Sequence, residues 1–96
     1  MGTVQCQPKP WSYTIEWVAL QFDPSEGIVS MKKLLRGTDW SIAEATINGA
    51  ESQVVCAKGG ELWRLNPGDW VIRTPYDKVW FMGDTEFQTN FDWRPE

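Results

Sequence analysis

The side chains of this chain that could carry out acid–base chemistry are carboxylates, and four of them fall in predicted turns: Asp69, Asp77, Asp84 and Glu86. A pair of carboxylates can act as general acid and base, as in the hydrolysis of glycosides. Aspartate in a turn, however, commonly accepts hydrogen bonds from nearby backbone N–H groups. We therefore interpret these carboxylates as turn residues and predict no catalytic residue.

The chain lacks the residues that are needed for nucleophilic catalysis, for a metal site or for a phosphate-binding loop. The chain has no histidine, which excludes a Ser-His-Asp triad, a Cys-His pair and a histidine-ligated zinc site. Cys6 and Cys56 form no CxxC pair, and Cys56 lies in an apolar run where we expect it to be buried. Gly59-Gly60 is not followed by the Lys-Ser/Thr of a phosphate-binding loop. The sequence predicts a protein without cofactor or metal that is not an enzyme.

The composition predicts a single globular domain over residues 1–96. The chain is 42% hydrophobic and 23% charged, and it contains seven tryptophans. Each tryptophan can bury about 150–250 Å², so we expect most of them in the core; the alternative is that some form an exposed binding patch. No apolar stretch approaches 18 residues, and the start lacks the features of a signal peptide. We expect a cytoplasmic protein with reduced cysteines and no membrane association.

Charge is distributed unevenly along the chain. The net charge is −4, and residues 38–96 carry five basic and ten acidic side chains. Binding to nucleic acid through its phosphates requires clustered lysine and arginine. The acidic C-terminal part therefore predicts that nucleic acid is not a partner.

The N-terminal part predicts a strand followed by a helix. Residues 1–11 hold two prolines and no periodicity, so we expect an irregular lead-in. Residues 12–22 are rich in β-branched and aromatic residues, as in a strand. The apolar positions of this strand change face between Trp17 and Val18, which indicates either a bulge or a strand that is covered on both sides.

The helix has recognisable ends. Asp23, Pro24 and Glu26 suit the N-cap, first and third positions of a helix. We predict that the helix continues to about Arg36, with Gly37 ending it. Its apolar stripe consists of Ile28, Met31 and Leu35.

Short strands separated by turns are predicted for the rest of the chain. The strands are Trp40–Ile47, Ser52–Ala57, Leu62–Leu65, Trp70–Arg73 and Val79–Met82, followed by a helical turn from Gly83-Asp84 and a closing segment Phe87–Trp93. Asn48-Gly49 indicates a tight turn, Lys58–Glu61 a hairpin turn, and Asn66-Pro67-Gly68-Asp69 a type II turn. The predicted fold class is α+β: one N-terminal helix packed on a mainly antiparallel β-sheet, in the order β-α-β-β-β-β-β.

Alternate residues of the last three strands suggest two different sheet faces. One face is apolar and comprises Trp63, Leu65, Trp70, Ile72, Val79 and Phe81. The other mixes apolar side chains with two arginines, and its candidate partner-binding residues are Arg64, Val71, Arg73, Trp80 and Met82. Tryptophan, arginine and methionine are enriched in protein interfaces, so we predict that this face binds a protein or a second copy of the chain. The alternative is that Trp11, Trp93 or the helix covers it.

The segment Pro67-Gly68-Asp69-Trp70-Val71-Ile72-Arg73 resembles the "PGDWIIRG"-like motif of a group of short bacteriophage proteins. The resemblance extends over about residues 9–93 and includes Lys9-Pro10, the Gly59-Gly60 hairpin and the closing Phe87. Thr74-Pro75 departs from the pattern, which has glycine after the motif. The residue types of the motif suit a turn and a strand, and the resemblance implies no catalytic residue.

This resemblance implies a phage accessory protein in the cytoplasm of the host cell. We expect it to bind a host or phage protein, for instance as an inhibitor of a host system. One alternative is a sponge for a nucleotide-like ligand, whose base would stack on aromatic rings while Arg64 and Arg73 hold its phosphate. A second is a minor structural component of the virion, and an enzyme that uses carboxylates alone is a third.

Overall fold

Eight strands form two antiparallel sheets in a computed structural model that describes residues 2–9 and 17–95. The strands are β1 (Val4–Pro8), β2 (Trp17–Gln21), β3 (Ser41–Thr46), β4 (Gln53–Lys58), β5 (Glu61–Leu65), β6 (Trp70–Arg73), β7 (Val79–Met82) and β8 (Phe91–Pro95). The helices are α1 (Val29–Leu35) and α2 (Asp84–Asn90). Pro24–Glu26 and Gly49–Glu51 form single 3₁₀ turns. The predicted α+β class is confirmed, and none of these helices is long and apolar enough to cross a membrane.

The sheet order differs from the predicted meander. One sheet has the order β7-β6-β2-β1-β8 and the other β3-β4-β5, so the consecutive strands β5 and β6 lie in different sheets. The turn between them explains this separation. Gly68 N donates to Phe22 O at 2.9 Å, and Phe22 N donates to Asp69 O at 2.8 Å. These hydrogen bonds join the turn to the end of β2 rather than to β5, and β6 therefore pairs with β2.

The turn itself has the predicted conformation. Gly68 has φ 94°, as the third position of a type II turn requires, and Asp69 N donates to Asn66 O at 3.0 Å. An added Cβ at Gly68 would meet nothing within 4 Å, so only the backbone angle favours glycine there. The sequence thus predicted the shape of this turn correctly but not the sheet into which it leads.

The prediction of an irregular lead-in is wrong for Val4–Pro8, which forms β1 between β2 and β8. Val4 and Cys6 lie on the same face of β1, and both are buried. Gln7 on the opposite face is also fully buried. The apolar–polar alternation Val-Gln-Cys-Gln covers only four residues before Pro8, so the local strand signal is short. The pairing with two neighbours, rather than local propensity, makes this segment a strand.

Strand β2 is covered on both sides. The change of face of its apolar residues between Trp17 and Val18 therefore reflects two-sided burial and not a bulge. Ala19 packs in one core with Trp17 against it, whereas Leu20 packs in the other core with Val18 against it. The register of β2 against β1 is regular from Trp17 to Ala19. The predicted strand residues 12–16, Trp11 and Pro10 lie outside the described residues.

Asp23 caps as predicted, but it caps the 3₁₀ turn and not a long helix. Its Oδ1 accepts from Ser25 Oγ at 2.7 Å and from Ser25 N at 3.0 Å, and these hydrogen bonds lower the pKa of the Asp23 carboxyl. Gly27 then takes φ 72°, which a right-handed helix does not allow, so α1 begins only at Val29. The stripe that α1 buries consists of Met31, Leu34 and Leu35, and Gly37 with φ 84° follows its end.

The later elements follow the prediction with three changes. Strands β3, β4, β6 and β7 and the Lys58–Glu61 hairpin are present. The predicted short helical turn after Gly83 is a second helix, α2, so the prediction of one N-terminal helix is wrong. Asn48-Gly49 leads into a 3₁₀ turn instead of a two-residue hairpin turn. Phe87 belongs to α2, and the closing strand begins at Phe91.

Two apolar cores lie on opposite faces of the five-stranded sheet. The first joins this sheet to α1 and to the three-stranded sheet; its buried residues are Leu20, Phe22, Met31, Leu34, Leu35, Val54, Cys56, Leu65 and Val71. The second lies under α2 and comprises Val4, Cys6, Ala19, Trp70, Ile72, Met82, Phe87 and Phe91. The sheet is therefore a central layer, and only its margins can present side chains to a partner.

Candidate protein-binding edge

The five candidate partner-binding residues do not share a face. In the register of β6 and β7, Ile72 pairs with Trp80 and Trp70 pairs with Met82. Directly paired residues lie on the same face of a sheet, so Trp80 and Met82 lie on the face covered by α2. Val71 and Arg73 lie on the opposite face, and Arg64 lies in the other sheet. The predicted common surface is wrong because its construction assumed that β5, β6 and β7 are neighbours in one sheet with a particular register.

Two of the five candidates are core residues. Val71 is fully buried in the first core, and Met82 is buried in the second core. Phe87 of α2 stacks on Trp70 with 3.9 Å between ring centroids, and Trp93 lies against the same indole at 6.0 Å. The alternative that Trp11, Trp93 or the N-terminal helix covers the mixed face applies only in part. Helix α1 packs with Val71 in the first core, whereas Trp93 contacts Trp70, which was predicted to lie on the other face.

Arg73 has a structural role, because its guanidinium is hydrogen-bonded within the fold. Its Nη1 donates to Leu34 O at 3.0 Å and to Arg36 O at 2.6 Å, at the C-terminal end of α1. Its Nε and Nη2 donate to Asp77 Oδ1 at 3.2 and 2.7 Å. A guanidinium can satisfy both groups at once because its N–H donors form a rigid planar fork. Arg73 thus fastens the β6–β7 hairpin to the helix, whereas Arg64 is an exposed residue of β5.

Besides Arg64, Trp80 is the predicted candidate that remains accessible, with 47% of its surface exposed. It lies at the margin of the second core, where its ring meets Trp17 edge to face at 5.3 Å and Phe91 at 6.5 Å. These contacts hold the indole in place while leaving about half of it to solvent. A large aromatic side chain with a fixed orientation loses little conformational freedom when it binds a partner.

Within residues 2–9 and 17–95, strand β7 is an edge strand of the five-stranded sheet. The hydrogen bond from Thr74 N to Lys78 O at 2.9 Å fixes the ladder pattern of the β6–β7 hairpin. Because inward and outward positions alternate along an antiparallel strand, the N–H and C=O groups of Val79 and Phe81 point away from β6. These main-chain groups can pair with an additional strand.

A second exposed ring borders the same strand on its other face. Trp63 is 45% exposed and stacks on Phe81 with 5.6 Å between centroids, and Trp40 meets Phe81 edge to face at 4.8 Å. We name the surface formed by Trp63, Val79, Trp80 and Phe81 the β7 edge surface. Trp63 was predicted to lie in a wholly apolar face, and its position beside β7 was not predicted, because no local pattern shows that Trp63 of one sheet contacts Phe81 of the other.

Three of the four candidate carboxylates accept hydrogen bonds within the fold. Asp69 Oδ2 accepts from Asn66 N at 2.9 Å, which is the predicted turn role. Asp77 accepts from the Arg73 side chain, and Asp84 Oδ1 accepts from Trp70 Nε1 at 2.9 Å, so these two carboxylates bind side chains of β6. Glu86 lies in the first turn of α2. In the described parts of the chain, no group of three or more histidine, cysteine, aspartate or glutamate side chains could hold a metal ion.

Both thiols are buried, which determines their reactivity. Burial raises the pKa of Cys6 to about 12 and that of Cys56 to about 11. Because only the thiolate is nucleophilic, we expect neither cysteine to react with a thiol reagent at pH 8 until the protein unfolds.

The raised pKa values also predict a pH dependence of stability. Above pH 9 the two thiols stay protonated in the folded protein but lose their protons in the unfolded chain, so the free energy of unfolding should fall as the pH rises beyond 9. Ellman titration with and without denaturant, and denaturation at pH 7–10, measure both effects; rapid native labelling would contradict the burial.

Comparison of the chain with protein-family models, with curated protein sequences and with solved structures finds no match.

Proposed function

We propose that this chain is a bacteriophage accessory protein that binds a host or phage protein through the β7 edge surface. The phage origin is supported by the resemblance carried by Pro67–Arg73. The mode of binding is supported by one structural observation: two half-exposed tryptophans, Trp63 and Trp80, flank an edge strand on its two faces.

The chemistry of β7 suits strand addition. The sequence Val79-Trp80-Phe81-Met82 carries no charge, so no lysine or aspartate within the strand repels an incoming backbone. Outward main-chain groups at Val79 and Phe81 would supply hydrogen bonds, and the flanking rings would supply apolar contact area. Proteins that add a strand to a sheet edge gain affinity from the main chain and specificity from such side chains.

The other hypotheses receive less support from the geometry. A nucleotide sponge that uses Arg64 and Arg73 together lacks its site, because these residues lie in different sheets and Arg73 is bonded to α1 and Asp77. A virion component would use the same edge to join neighbouring subunits. Inhibition of a host enzyme or defence system remains the proposed consequence of binding.

Partner capture with matched variants tests the proposal. The protein is immobilised and exposed to lysate of infected cells, and bound proteins are identified for the wild type, Trp80→Lys and Leu62→Lys. Leu62 is the control because it is 58% exposed, apolar and on β5, but it is not part of the β7 edge surface. We expect Trp80→Lys to abolish capture of a specific protein, since it places a charge in the apolar contact, and Leu62→Lys to retain it.

The mass of the wild-type protein in solution complements the capture. A dimer that Trp80→Lys converts to a monomer would identify a second copy as the partner. Equal capture by both lysine variants would contradict binding at this edge, and a monomer that captures nothing from infected cells would contradict the function itself.

A further inference from the structure

A cleft of about 470 Å³ lies between the end of α1 and the start of β3, away from the carboxylates discussed above. Its lining residues are Lys32, Leu35, Arg36, Gly37, Thr38, Trp40, Ser41 and Ile42. One wall is cationic and belongs to α1; the other contains the Trp40 ring and the Ile42 side chain. The cleft therefore has a polar side and an apolar side that face the same space.

The two cations that line this cleft form no ion pair within the described residues. They are Lys32 and Arg36. Lys58 does not line the cleft, and its Nζ lies 5.9 Å from the centre of the Trp40 ring. Two exposed cations without an ion pair therefore face one cleft in a chain with a net charge of −4.

Cations near the C-terminus of a helix ordinarily compensate its exposed carbonyl groups. At the end of α1, however, other residues already donate hydrogen bonds to these carbonyl groups. Arg73 donates to Leu34 O and Arg36 O, and Thr38 donates to Leu35 O through N at 3.1 Å and Oγ1 at 2.7 Å. The helix end therefore leaves Lys32 and Arg36 available for a ligand.

Trp40, which lines the cleft, has a ring nitrogen that the described part of the fold does not use. Trp40 Nε1 donates no hydrogen bond to any residue of the described parts, whereas Nε1 of Trp70 and of Trp93 are bonded to Asp84 and Gln88. The Arg73 guanidinium lies beneath Gly37, with Nη2 3.5 Å from the position of an added Cβ. Arg73 does not line the cleft and is paired with Asp77, so Lys32 and Arg36 supply the positive charge of the cleft.

From these observations we propose that this cleft binds a nucleoside phosphate. Lys32 and Arg36 hold the phosphate by charge-assisted hydrogen bonds, and the base lies against Trp40 and Ile42. The site is separate from the β7 edge surface, and it does not depend on the proposed protein-binding function. It also differs from the Arg64–Arg73 pair that the sequence suggested for a ligand of this class.

Lys33 provides a matched control, because it lies next to Lys32 on α1, is likewise exposed and does not line the cleft. The probes are the four ribonucleoside triphosphates, with adenosine alone and inorganic triphosphate alone. Melting temperature and calorimetric titration report binding, because a ligand that binds only the folded state raises the melting temperature. We expect at least one nucleotide to bind at about millimolar concentration or below, and binding to weaken with added salt.

Lys32→Glu and Arg36→Glu should each weaken that binding at least about tenfold, since a charge-assisted hydrogen bond becomes a repulsion, and Lys33→Glu should change it little. Both residues are exposed, and the melting temperature without ligand verifies that each variant is folded. The proposal is overturned if no nucleotide binds, or if Lys33→Glu weakens binding as much as Lys32→Glu. Equal affinity for inorganic triphosphate would also overturn it, because the base would then contribute nothing.

Discussion

Replacing Trp70 with alanine is expected to lower the free energy of unfolding by about 3–5 kcal/mol, the range for a buried tryptophan. Trp70 is 2% exposed at the centre of the second core. The substitution removes its stack on Phe87, its contact with Trp93 and its hydrogen bond to Asp84. In a small domain whose total stability is about 5–15 kcal/mol, this loss is a large share of the free energy of unfolding. Chemical denaturation followed by circular dichroism measures it.

Two further variants separate the contributions at this position. Trp70→Phe keeps an aromatic ring against Phe87 but loses the hydrogen bond to Asp84, and we expect it to cost only about 1–2 kcal/mol. Trp80→Ala should cost about half as much as Trp70→Ala, because about half of the Trp80 surface is exposed already. If Trp80→Ala destabilises the protein as strongly as Trp70→Ala, Trp80 is a core residue and its assignment to the β7 edge surface is wrong.

Replacing Arg73 with alanine is expected to cost about 2–3 kcal/mol. The variant leaves Leu34 O and Arg36 O at the end of α1 without their charged donor, and it frees the β6–β7 hairpin from the helix. Hydrogen bonds to charged groups contribute about 1.5–3 kcal/mol each where they are partly buried. The exposed ion pair with Asp77 adds little, so Asp77→Ala should cost less than about 1 kcal/mol.

Arg64 is the natural control for Arg73, since the sequence analysis assigned both arginines to one surface. Arg64 is exposed on β5, so Arg64→Ala should change stability by no more than about 0.5 kcal/mol. Arg73→Lys should recover only part of the loss, because an ammonium cannot reach both carbonyl groups and Asp77 in one plane. Similar effects of Arg64→Ala and Arg73→Ala in urea denaturation would contradict the structural role of Arg73.

Together these variants separate a binding surface from the fold that carries it. Arg73, Val71 and Met82 were candidates for binding because of their residue types, but they are bonded or buried. Trp63 was predicted to lie in a wholly apolar sheet face because alternate residues there are apolar, yet its ring is half exposed beside Phe81. Residue type indicated that aromatic and basic groups matter here, and their packing decides which of them a partner can reach.

Local sequence determined much of the secondary structure. The cap at Asp23, the positive φ of Gly68, the hairpin at Lys58–Glu61 and the helix after Gly83 all follow from short-range conformational preferences, which act without the rest of the chain. The absence of histidine, also a property of the sequence alone, excludes the histidine-dependent catalytic sites. The separation of the 3₁₀ turn from α1 also has a local cause, the positive φ of Gly27, although the sequence around it predicts one continuous helix.

The tertiary structure alone decided which strands pair and which faces are open. Val4–Pro8 is a strand because β2 and β8 flank it, and β5 and β6 separate because the Asn66–Asp69 turn bonds to Phe22. Pairing depends on long-range hydrogen bonds, and a change of register or neighbour reassigns every side chain to another face. For that reason the carboxylates and histidine-free composition could be interpreted from the sequence, whereas the β7 edge surface and the cationic cleft beside Trp40 could be found only from the fold.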